Sequence, residues 1–318
     1  MVVALRASGL CGSDLKAYRT CSSRTGASAT AVVPGHEPCG VVVELGPQAA
    51  GVAVGDRVMV HHYAGCGECE MCRLGYTQMC LAGYEIYGGT RNGGHQDMMA
   101  VPDYACVKMP DELGFPEAAA CSCGTGTAFH AVKRLALEES ETVAVFGQGP
   151  VGLSATMFAT ALGARVLAVD VTAERLRLAE KLGADVTIDP DKADPVEVVK
   201  ELTGGRGADA TLDATGIPAV RNDTMDAVRD WGRVCFVGEG GDTTFDASRQ
   251  IIHRQLTMYG SWTFSIPGLA EVARFVVDRR LPMDGLITDT FELDRIQEAY
   301  TLFEAGRTGK VVIVWDRD

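Results

Sequence analysis

Residues 142–170, TVAVFGQGPVGLSATMFATALGARVLAVD, predict a strand, a glycine-rich turn, a helix and a second strand that ends at Asp170. In such a turn Gly147 permits the tight bend, Gly149 lets the backbone approach a pyrophosphate, and Gly152 lets the helix pack closely on the strand. Free N–H groups and the dipole at the helix N-terminus favour a bound phosphate. Because the strand, the helix and the acidic residue are all present, the stretch predicts a dinucleotide-binding unit.

The alternation of strands and helices continues beyond Asp170. Further strands are predicted at residues 185–188, 209–213, 232–238 and 258–262, with helices between them. The pattern predicts an α/β domain at residues 125–266, with six parallel strands in a doubly wound sheet. Residues 1–124 instead carry short strands separated by glycine and proline, which predict a compact β-barrel-like domain. Residues 267–318 leave the alternation and are expected to return to that first domain.

Composition excludes several classes of protein. The chain has 318 residues, enough for two domains, and a net charge of -13, whereas nucleic-acid and anionic-membrane binding both need a basic face. No apolar run approaches the ~20 residues of a membrane span. The first residues lack the basic and apolar regions of a signal peptide, so we expect a cytoplasmic protein. Its 11 cysteines then favour metal binding over disulfides.

Four of the cysteines lie in residues 64–80, AGCGECEMCRLGYTQMC, which we call the cysteine lobe. They are Cys66, Cys69, Cys72 and Cys80. Their close spacing lets one segment wrap an ion tetrahedrally, and coordination by four thiolates is typical of a structural zinc. The alternative is a set of loop thiols or a disulfide pair, which a reducing compartment disfavours.

Seven features in a fixed order indicate one family. They are CGSDL (11–15), PGHEPCG (34–40), VGDRV (54–58), the cysteine lobe, CGTGTAFHA (123–131), GQGPVG (147–152) and GKVVIV (309–314). On these motifs the chain resembles the zinc-dependent medium-chain alcohol dehydrogenase superfamily, close to its threonine-dehydrogenase-like and polyol-dehydrogenase-like branches. The resemblance implies a GroES-like β-barrel catalytic domain and a Rossmann domain. It also implies hydride transfer to NAD from a small secondary alcohol, polyol or amino alcohol similar to L-threonine.

The resemblance implies that Cys11, His36 and Cys123 hold a catalytic zinc. Taken alone, each is a weak candidate, because a single cysteine is more often a small buried apolar residue. Two thiolates and one imidazole, for which alcohol dehydrogenase is the known example, leave a fourth position open. Cys121 competes for the third place, and the spacing of Thr127 within its motif favours Cys123.

Further residues acquire roles only through the resemblance. Asp14 matches an acid that orients the histidine ligand, Glu37 a carboxylate that can approach the metal, and Ser13 the hydroxyl of a proton relay. Many relatives have a histidine at the position of Lys16. Because a lysine is ordinarily protonated at neutral pH, the relay is expected to end at ribose or water.

The cofactor is predicted to be NAD. Asp170 would accept hydrogen bonds from the ribose hydroxyls and repel a 2′-phosphate. Arg175 could oppose this preference, but its place inside a helix predicts a solvated side chain. The resemblance adds four further cofactor contacts, namely Thr127, Pro150, Val151 and Val237.

Two alternatives to an alcohol dehydrogenase remain: a zinc-free quinone or enoyl reductase on the same fold, and an inactive NAD-binding protein. Relatives carry a further hairpin before CGSDL, so an exposed strand edge is expected at Val2–Leu5. The loops at Cys21–Thr30 and Tyr87–His95 are expected to line the substrate pocket. Trp262 and Phe264 are expected in the core or in a subunit interface. The resemblance also implies a homodimer or homotetramer.

Overall fold

The structure is a computed structural model that describes residues 1–23 and 32–316. The chain divides into two compact units. Unit 1 comprises residues 1–126, 264–283 and 287–318, and unit 2 comprises residues 127–263 and 284–286. Of the loop predicted at Cys21–Thr30, the first three residues continue a helix, and residues 24–30 lie outside the described residues.

Strands and helices of the described residues are numbered in chain order. The strands are β1 (Val2–Gly9), β2 (Glu37–Glu44), β3 (Arg57–Val60), β4 (Tyr63–Ala64), β5 (Glu85–Ile86), β6 (Met98–Ala100), β7 (Cys106–Lys108), β8 (Thr142–Phe146), β9 (Arg165–Val169), β10 (Val186–Ile188), β11 (Ala208–Asp213), β12 (Val228–Phe236), β13 (Thr257–Gly260), β14 (Ile287–Glu292) and β15 (Lys310–Val314). The helices are α1 (Gly12–Ser23), α2 (Glu70–Arg73), α3 (Phe115–Ala120), α4 (Gly126–Leu135), α5 (Pro150–Ala161), α6 (Ala173–Lys181), α7 (Pro195–Leu202), α8 (Pro218–Ala227), α9 (Ile266–Asp278), α10 (Met283–Leu286) and α11 (Ile296–Glu304). None of these helices is long and apolar enough to cross a membrane.

Unit 2 contains the predicted doubly wound sheet. Its six strands are all parallel and follow the order β10-β9-β8-β11-β12-β13. Strand β8 is buried along its whole length, as a strand between two helical layers must be. The strand order reverses between β8 and β11, and in such sheets ligands bind at the carboxyl ends of the strands beside that reversal. The turn after β8 lies at this position.

Unit 1 is built on a seven-stranded, mostly antiparallel sheet centred on β1. The main path is β14-β15-β1-β2-β3-β7, and β6 also pairs with β1. The C-terminal strands β14 and β15 therefore belong to the same sheet as β1. Apolar side chains of β1, β2, β3 and β15 meet those of α11 in one buried cluster, which forms the core of the unit.

The expected exposed edge at Val2–Leu5 is wrong. The start of β1 pairs with β2 on one side and with β6 on the other, where Val3 lies opposite Met99. The backbone N–H of Leu5 also donates to Asp97 O at 3.0 Å. Val3 and Leu5 are fully buried, so this part of β1 is an interior strand.

The cysteine lobe is joined to the start of α9 by polar contacts. The carbonyl of Phe264 accepts from Nε2 of His61 at 3.0 Å and from Nε2 of Gln78 at 3.1 Å. The N–H of Ile266 donates to the carbonyl of Gly75 at 2.9 Å. Phe264 is buried, as expected, whereas Trp262 is 41% exposed and is not a core residue of this chain.

Candidate active site

One buried cluster in unit 1 brings together the side chains that can hold a metal ion. Donor atoms of Cys11, His36, Glu37 and Cys123 all lie within 4.8 Å of one another. We call these four residues the candidate ligand group. Cys11 follows β1, His36 immediately precedes β2, and Cys123 lies in a π-helical turn between α3 and α4. Such turns frequently occur at functional sites, because they displace one side chain from the regular helix.

Asp14 orients two members of the group. One carboxylate oxygen lies 2.9 Å from Nδ1 of His36, and the other accepts from the backbone N–H of Cys11 at 2.9 Å. Burial lowers the pKa of His36, but the charge and hydrogen bond of Asp14 outweigh it, so the pKa is raised well above its ordinary value. With Nδ1 directed at the carboxylate, Nε2 is the nitrogen left for a metal ion.

The two thiols of the group differ in acidity. A hydrogen bond from Cys123 outweighs burial and, with His36 nearby, holds the pKa of Cys11 well below its usual range. The same hydrogen bond and burial raise the pKa of Cys123. Cys121 is fully buried outside the group, and burial raises its pKa to about 12. Of the two competing cysteines, the structure therefore brings Cys123 to the other ligands and leaves Cys121 apart.

Glu37 has a buried partner that the sequence analysis missed. Nζ of Lys310 lies 2.7 Å from both carboxylate oxygens of Glu37, and both side chains are fully buried. Burial raises the pKa of Glu37 to about 7, and the ammonium of Lys310 opposes that rise. Lys310 belongs to the GKVVIV motif. The motif therefore singles out this lysine, but it gives no indication that the side chain pairs with Glu37.

Two further polar side chains approach His36. Ser13 is exposed, and its Oγ lies 3.4 Å from Nε2 of His36. The ring of His62, which was not predicted, lies with its centroid 5.3 Å from that of His36. Nδ1 of His62 donates to the carbonyl of Ser122 at 3.0 Å, which leaves Nε2 as an acceptor. Burial and the neighbouring His36 hold the pKa of His62 well below its usual value, so its ring is neutral at pH 7.

The cysteine lobe has the dimensions of a four-thiolate metal site. All four sulfurs lie within 4.8 Å of one another, with Cys66 and Cys72 at 4.0 Å and Cys69 and Cys80 at 3.9 Å. A tetrahedron with zinc–sulfur bonds of ~2.3 Å has sulfur–sulfur edges of ~3.8 Å. The four cysteines are free thiols, and backbone hydrogen bonds lower the pKa of Cys69 to about 6. These residues therefore fit a zinc ion.

The glycine-rich turn of unit 2 has the shape that a dinucleotide requires. Gly147 has a φ of +89°, which favours glycine, and a Cβ on Gly152 would lie 1.7 Å from the carbonyl oxygen of Gly147. Beside Gly149 the nearest protein atom to an added Cβ is 4.0 Å away. Helix α5 begins at Pro150 and has no side-chain cap, so its first N–H groups are available to a phosphate. The turn fits a dinucleotide.

Asp170 lies at the end of β9, beside this turn. Its two carboxylate oxygens accept from the N–H groups of Gln148 at 2.6 Å and Thr172 at 2.8 Å. The solvated side chain predicted for Arg175 is wrong. Its Nε is buried without a hydrogen-bond partner, and its guanidinium carbon is the atom 4.0 Å from a Cβ built on Gly149. A cation therefore lies next to the glycine turn.

The other predicted cofactor contacts lie in separate elements. Thr127 is buried in α4, and Pro150 and Val151 form the first turn of α5. Val237 follows β12 and donates its N–H to the carbonyl of Asp213 at 2.9 Å. Their contact with a cofactor stays a prediction.

Comparison with known proteins agrees with this geometry. The family model of the alcohol dehydrogenase GroES-like domain matches residues 1–111, and that of the zinc-binding dehydrogenase matches residues 150–278. The uncharacterized zinc-type alcohol dehydrogenase-like protein YphC of Escherichia coli is 36% identical over 322 residues, covering 98% of this chain and 91% of the relative. The chain therefore belongs to the zinc-dependent medium-chain alcohol dehydrogenase superfamily, as its motifs predicted, and the predicted fold class is confirmed.

Two other proteins extend the comparison. An erythritol/L-threitol dehydrogenase of Mycolicibacterium smegmatis is 34% identical over 325 residues, covering 96% of this chain and 88% of the relative. The crystal structure of an NAD-dependent alcohol dehydrogenase matches with a TM-score of 0.86 and 31% identity, covering 99% of this chain and 91% of that structure.

Proposed function

We propose that the protein is a zinc- and NAD-dependent dehydrogenase that oxidises a small secondary alcohol, a polyol or an amino alcohol. The observation that carries the proposal is the candidate ligand group, where two thiols, an imidazole and a carboxylate converge within 4.8 Å. In a chain that also carries the glycine turn and Asp170, this donor set favours alcohol oxidation over the zinc-free reductases of the same fold. A second zinc would be held by the cysteine lobe.

The chain's own residues position the reactants and move a proton. When bound, zinc supplies a Lewis acid that lowers the pKa of an alcohol, and the nicotinamide accepts hydride. Cys11, His36 and Cys123 are proposed to hold the metal, and Asp14 fixes the orientation of His36. The exposed hydroxyl of Ser13, next to His36, accepts the proton of the alcohol and passes it outward. Oxidation thus releases one hydride to the cofactor and one proton to solvent.

His62 favours substrates with more than one hydroxyl group. Its Nε2 is an acceptor with no hydrogen-bond partner among the described residues, and its ring lies beside His36. A second hydroxyl on the carbon next to the reacting one can donate to such a nitrogen. A polyol is therefore preferred to a simple alcohol, in line with the activity named for the mycobacterial relative.

NAD is proposed as the cofactor, because a carboxylate beside the glycine turn, here Asp170, would accept hydrogen bonds from the ribose hydroxyls and repel a 2′-phosphate. Both of its oxygens also hold backbone N–H groups, so the carboxylate is fixed in place. The nearby cation of Arg175 weakens this discrimination without removing the negative charge.

Turnover on a substrate panel tests the proposal. Zinc-loaded protein is assayed for NADH formation with polyols, threonine and simple secondary alcohols, and its metal content is measured. We expect two zinc ions per chain and the highest kcat/KM with a polyol. Cys123→Ser should lose one ion and at least ~100-fold in activity, because disturbing even the outer partners of a metal costs 10- to 100-fold.

Cys121→Ser is the matched control, since it changes a buried cysteine of the same helical turn outside the candidate ligand group. Full activity of Cys123→Ser would contradict the ligand assignment. Stabilisation by NAD and zinc with no turnover on any alcohol would instead support an inactive NAD-binding protein.

We propose that the protein forms a homodimer or homotetramer and is located in the cytoplasm. Strand β13 pairs with β12 on one side only within the described residues, so it offers an edge for a homodimer or homotetramer. Light scattering on the purified protein would give the stoichiometry. A cytoplasmic location is proposed because a four-thiolate zinc site needs reduced cysteines, which a reducing compartment maintains.

A further inference from the structure

The buried ammonium of Lys310 contacts both the candidate ligand group, at Glu37, and the backbone next to Cys11, at Leu10. Its three N–H bonds have three acceptors: the two oxygens of Glu37, both at 2.7 Å, and the carbonyl of Leu10 at 3.0 Å. An ammonium has three donors, so the hydrogen-bonding capacity of Lys310 is fully used. Since Leu10 immediately precedes Cys11, the lysine joins two of the ligand segments.

The carboxylate of Glu37 is held on its other sides as well. The N–H of Gly124, next to Cys123, lies 3.3 Å from Oε1. A Cβ on Gly9 would lie 1.9 Å from Oε2, so only a glycine leaves room for the carboxylate there. Glu37 is therefore close enough to the other donors to become a ligand, but its oxygens are engaged by Lys310.

We infer that Lys310 is a positioning residue that keeps Glu37 from becoming the fourth protein ligand of the catalytic metal. A catalytic zinc needs three protein ligands and one open position, whereas four protein ligands are typical of a structural site. Without the lysine, a buried carboxylate would be left with one weak donor beside a divalent cation. Binding the cation is then its most favourable way to be neutralised. The lysine thus separates a catalytic site from a structural one.

This inference rests on the proposed catalytic metal site. The direction in which metal affinity changes when Lys310 is replaced distinguishes it from a merely structural role. Loss of a structural contact would loosen the metal and lower activity together. Loss of the restraint on Glu37 should instead tighten the metal while closing the position that the alcohol needs. Lys310→Met is therefore expected to hold the metal of the ligand group at least ~10-fold more tightly and to turn over at least ~10-fold more slowly.

The test uses cobalt(II) in place of zinc, with the cysteine lobe of the same chain as an internal reference. Chelator competition gives the affinity of each site, and the visible spectrum reports a change in the ligands of the cobalt ion. Lys310→Met should show shifted cobalt bands in the ligand group, because a carboxylate replaces the exchangeable ligand, and no spectral response to added azide. Lys310→Arg, which keeps the cation, should behave as the wild type. Glu37→Gln/Lys310→Met should restore the response to azide, because the new ligand is gone.

Arg221→Met is the control for loss of a mostly buried cation, since the side chain of Arg221 is 15% exposed and its Nε lies 3.4 Å from the fully buried Asp213 in unit 2. It should change neither cobalt site. If Lys310→Met fails to fold, two double variants that leave no buried unpaired charge are compared. They are Glu37→Gln/Lys310→Met and Lys310→Met/Glu37→Ala. Azide must reach the metal in both.

Unchanged or weaker metal binding in Lys310→Met, or azide excluded from either double variant, would overturn the inference. A wild-type chain that binds one ion only would overturn the proposed catalytic site itself. Two ions in the wild type with an unchanged Lys310→Met spectrum would overturn only the role of the lysine.

Discussion

Asp14 lies 2.9 Å from Nδ1 of His36, and its other oxygen accepts from the N–H of Cys11. One carboxylate therefore sets both the tautomer of the imidazole and the course of the backbone at the neighbouring thiol. Partners of this kind raise the basicity of the ligand and fix its ring, and their loss typically costs 10- to 100-fold in metal affinity.

Asp14→Asn should accordingly bind the catalytic metal 10- to 100-fold more weakly, because the amide keeps the shape of the side chain but not its charge. Chelator competition measures the change, with the ion of the cysteine lobe as reference. Asp97→Asn is the control, since Asp97 is a carboxylate of the same unit that accepts from Trp315. If Asp14→Asn bound the catalytic metal as tightly as the wild type, the negative charge of Asp14 would not be needed to orient His36.

Removal of the cysteine-lobe metal should destabilise the protein without removing the catalytic metal. Cys69→Ser takes away a thiol whose pKa is lowered to about 6, and the lobe then loses the ion that holds a segment with little core of its own. We expect one bound ion in place of two and a loss of a few kcal/mol in the free energy of unfolding.

Metal analysis and urea denaturation measure both effects of Cys69→Ser. Cys106→Ser is the matched control, because Cys106 is a half-buried thiol of unit 1 outside both metal clusters. Retention of both ions by Cys69→Ser would contradict the four-thiolate site.

Substitution of Asp170 should shift the cofactor preference toward NADP. In Asp170→Ser the charge that repels a 2′-phosphate is gone, and Arg175 remains beside the turn as a cation with a free Nε donor. The ratio of kcat/KM for NADP to that for NAD should rise at least ~10-fold, since hydrogen bonds to charged groups contribute about 1.5–3 kcal/mol.

Adding Arg175→Met to Asp170→Ser should remove most of the gain in NADP use. Asp185→Ser is the control, because Asp185 is a carboxylate of the same unit that accepts a backbone N–H, that of Val166, at 2.8 Å. An equal gain with and without the arginine would show that Arg175 does not meet the phosphate.

His95 should make the folded state less stable in acid. Burial lowers the pKa of His95 to about 4, whereas an unfolded chain takes up this proton below about pH 6.5. Between these values the unfolded state binds more protons, so stability falls as the pH drops from about 6.5 to about 4. The folded and unfolded pKa values of His95 differ by about 2.5 units. At 1.36 kcal/mol for each unit, the free energy of unfolding falls by about 3 kcal/mol over this pH range.

His95→Phe keeps an aromatic ring against Tyr300 but cannot be protonated. Urea denaturation of both chains at several values between about pH 7 and pH 5 should give a smaller loss of stability for the variant. A constant offset is expected from the lost hydrogen bond to Tyr300, so the slope is the quantity to compare. Parallel pH dependences would contradict the assignment.

The alternation of β-strands and helices predicted the sheet of unit 2, because its central strands β8, β9 and β11 are almost fully buried and each is followed by a helix. The pairing of β6 with β1 was missed, since a strand of three residues leaves no local pattern and its partner lies about a hundred residues away. Motifs assigned the donor residues of the ligand group and the acid Asp14 beside His36, but not Lys310, the buried partner of Glu37.

Lys310 and Glu37 lie 273 positions apart, and a lysine in sequence predicts a solvated side chain until the fold buries it. In the sequence His62 is distinguished only by its neighbour His61. A buried neutral histidine belongs to no periodic pattern, so its position near His36 could not be predicted. Arg175 has the helical position of a surface residue, and only the path of the chain shows that it turns toward Gly149.

The predicted metal ligands all precede residue 126, but the cation that restrains Glu37 arrives on β15, which also supplies a hydrogen-bonded neighbour for β1. A chain cut before residue 310 would keep Cys11, His36 and Cys123, but it would lack the cation of Lys310 and the strand that pairs with β1. During synthesis, the ligands leave the ribosome long before their buried partner. The integrity of the last strand therefore determines whether the first half of the chain can form an open metal site.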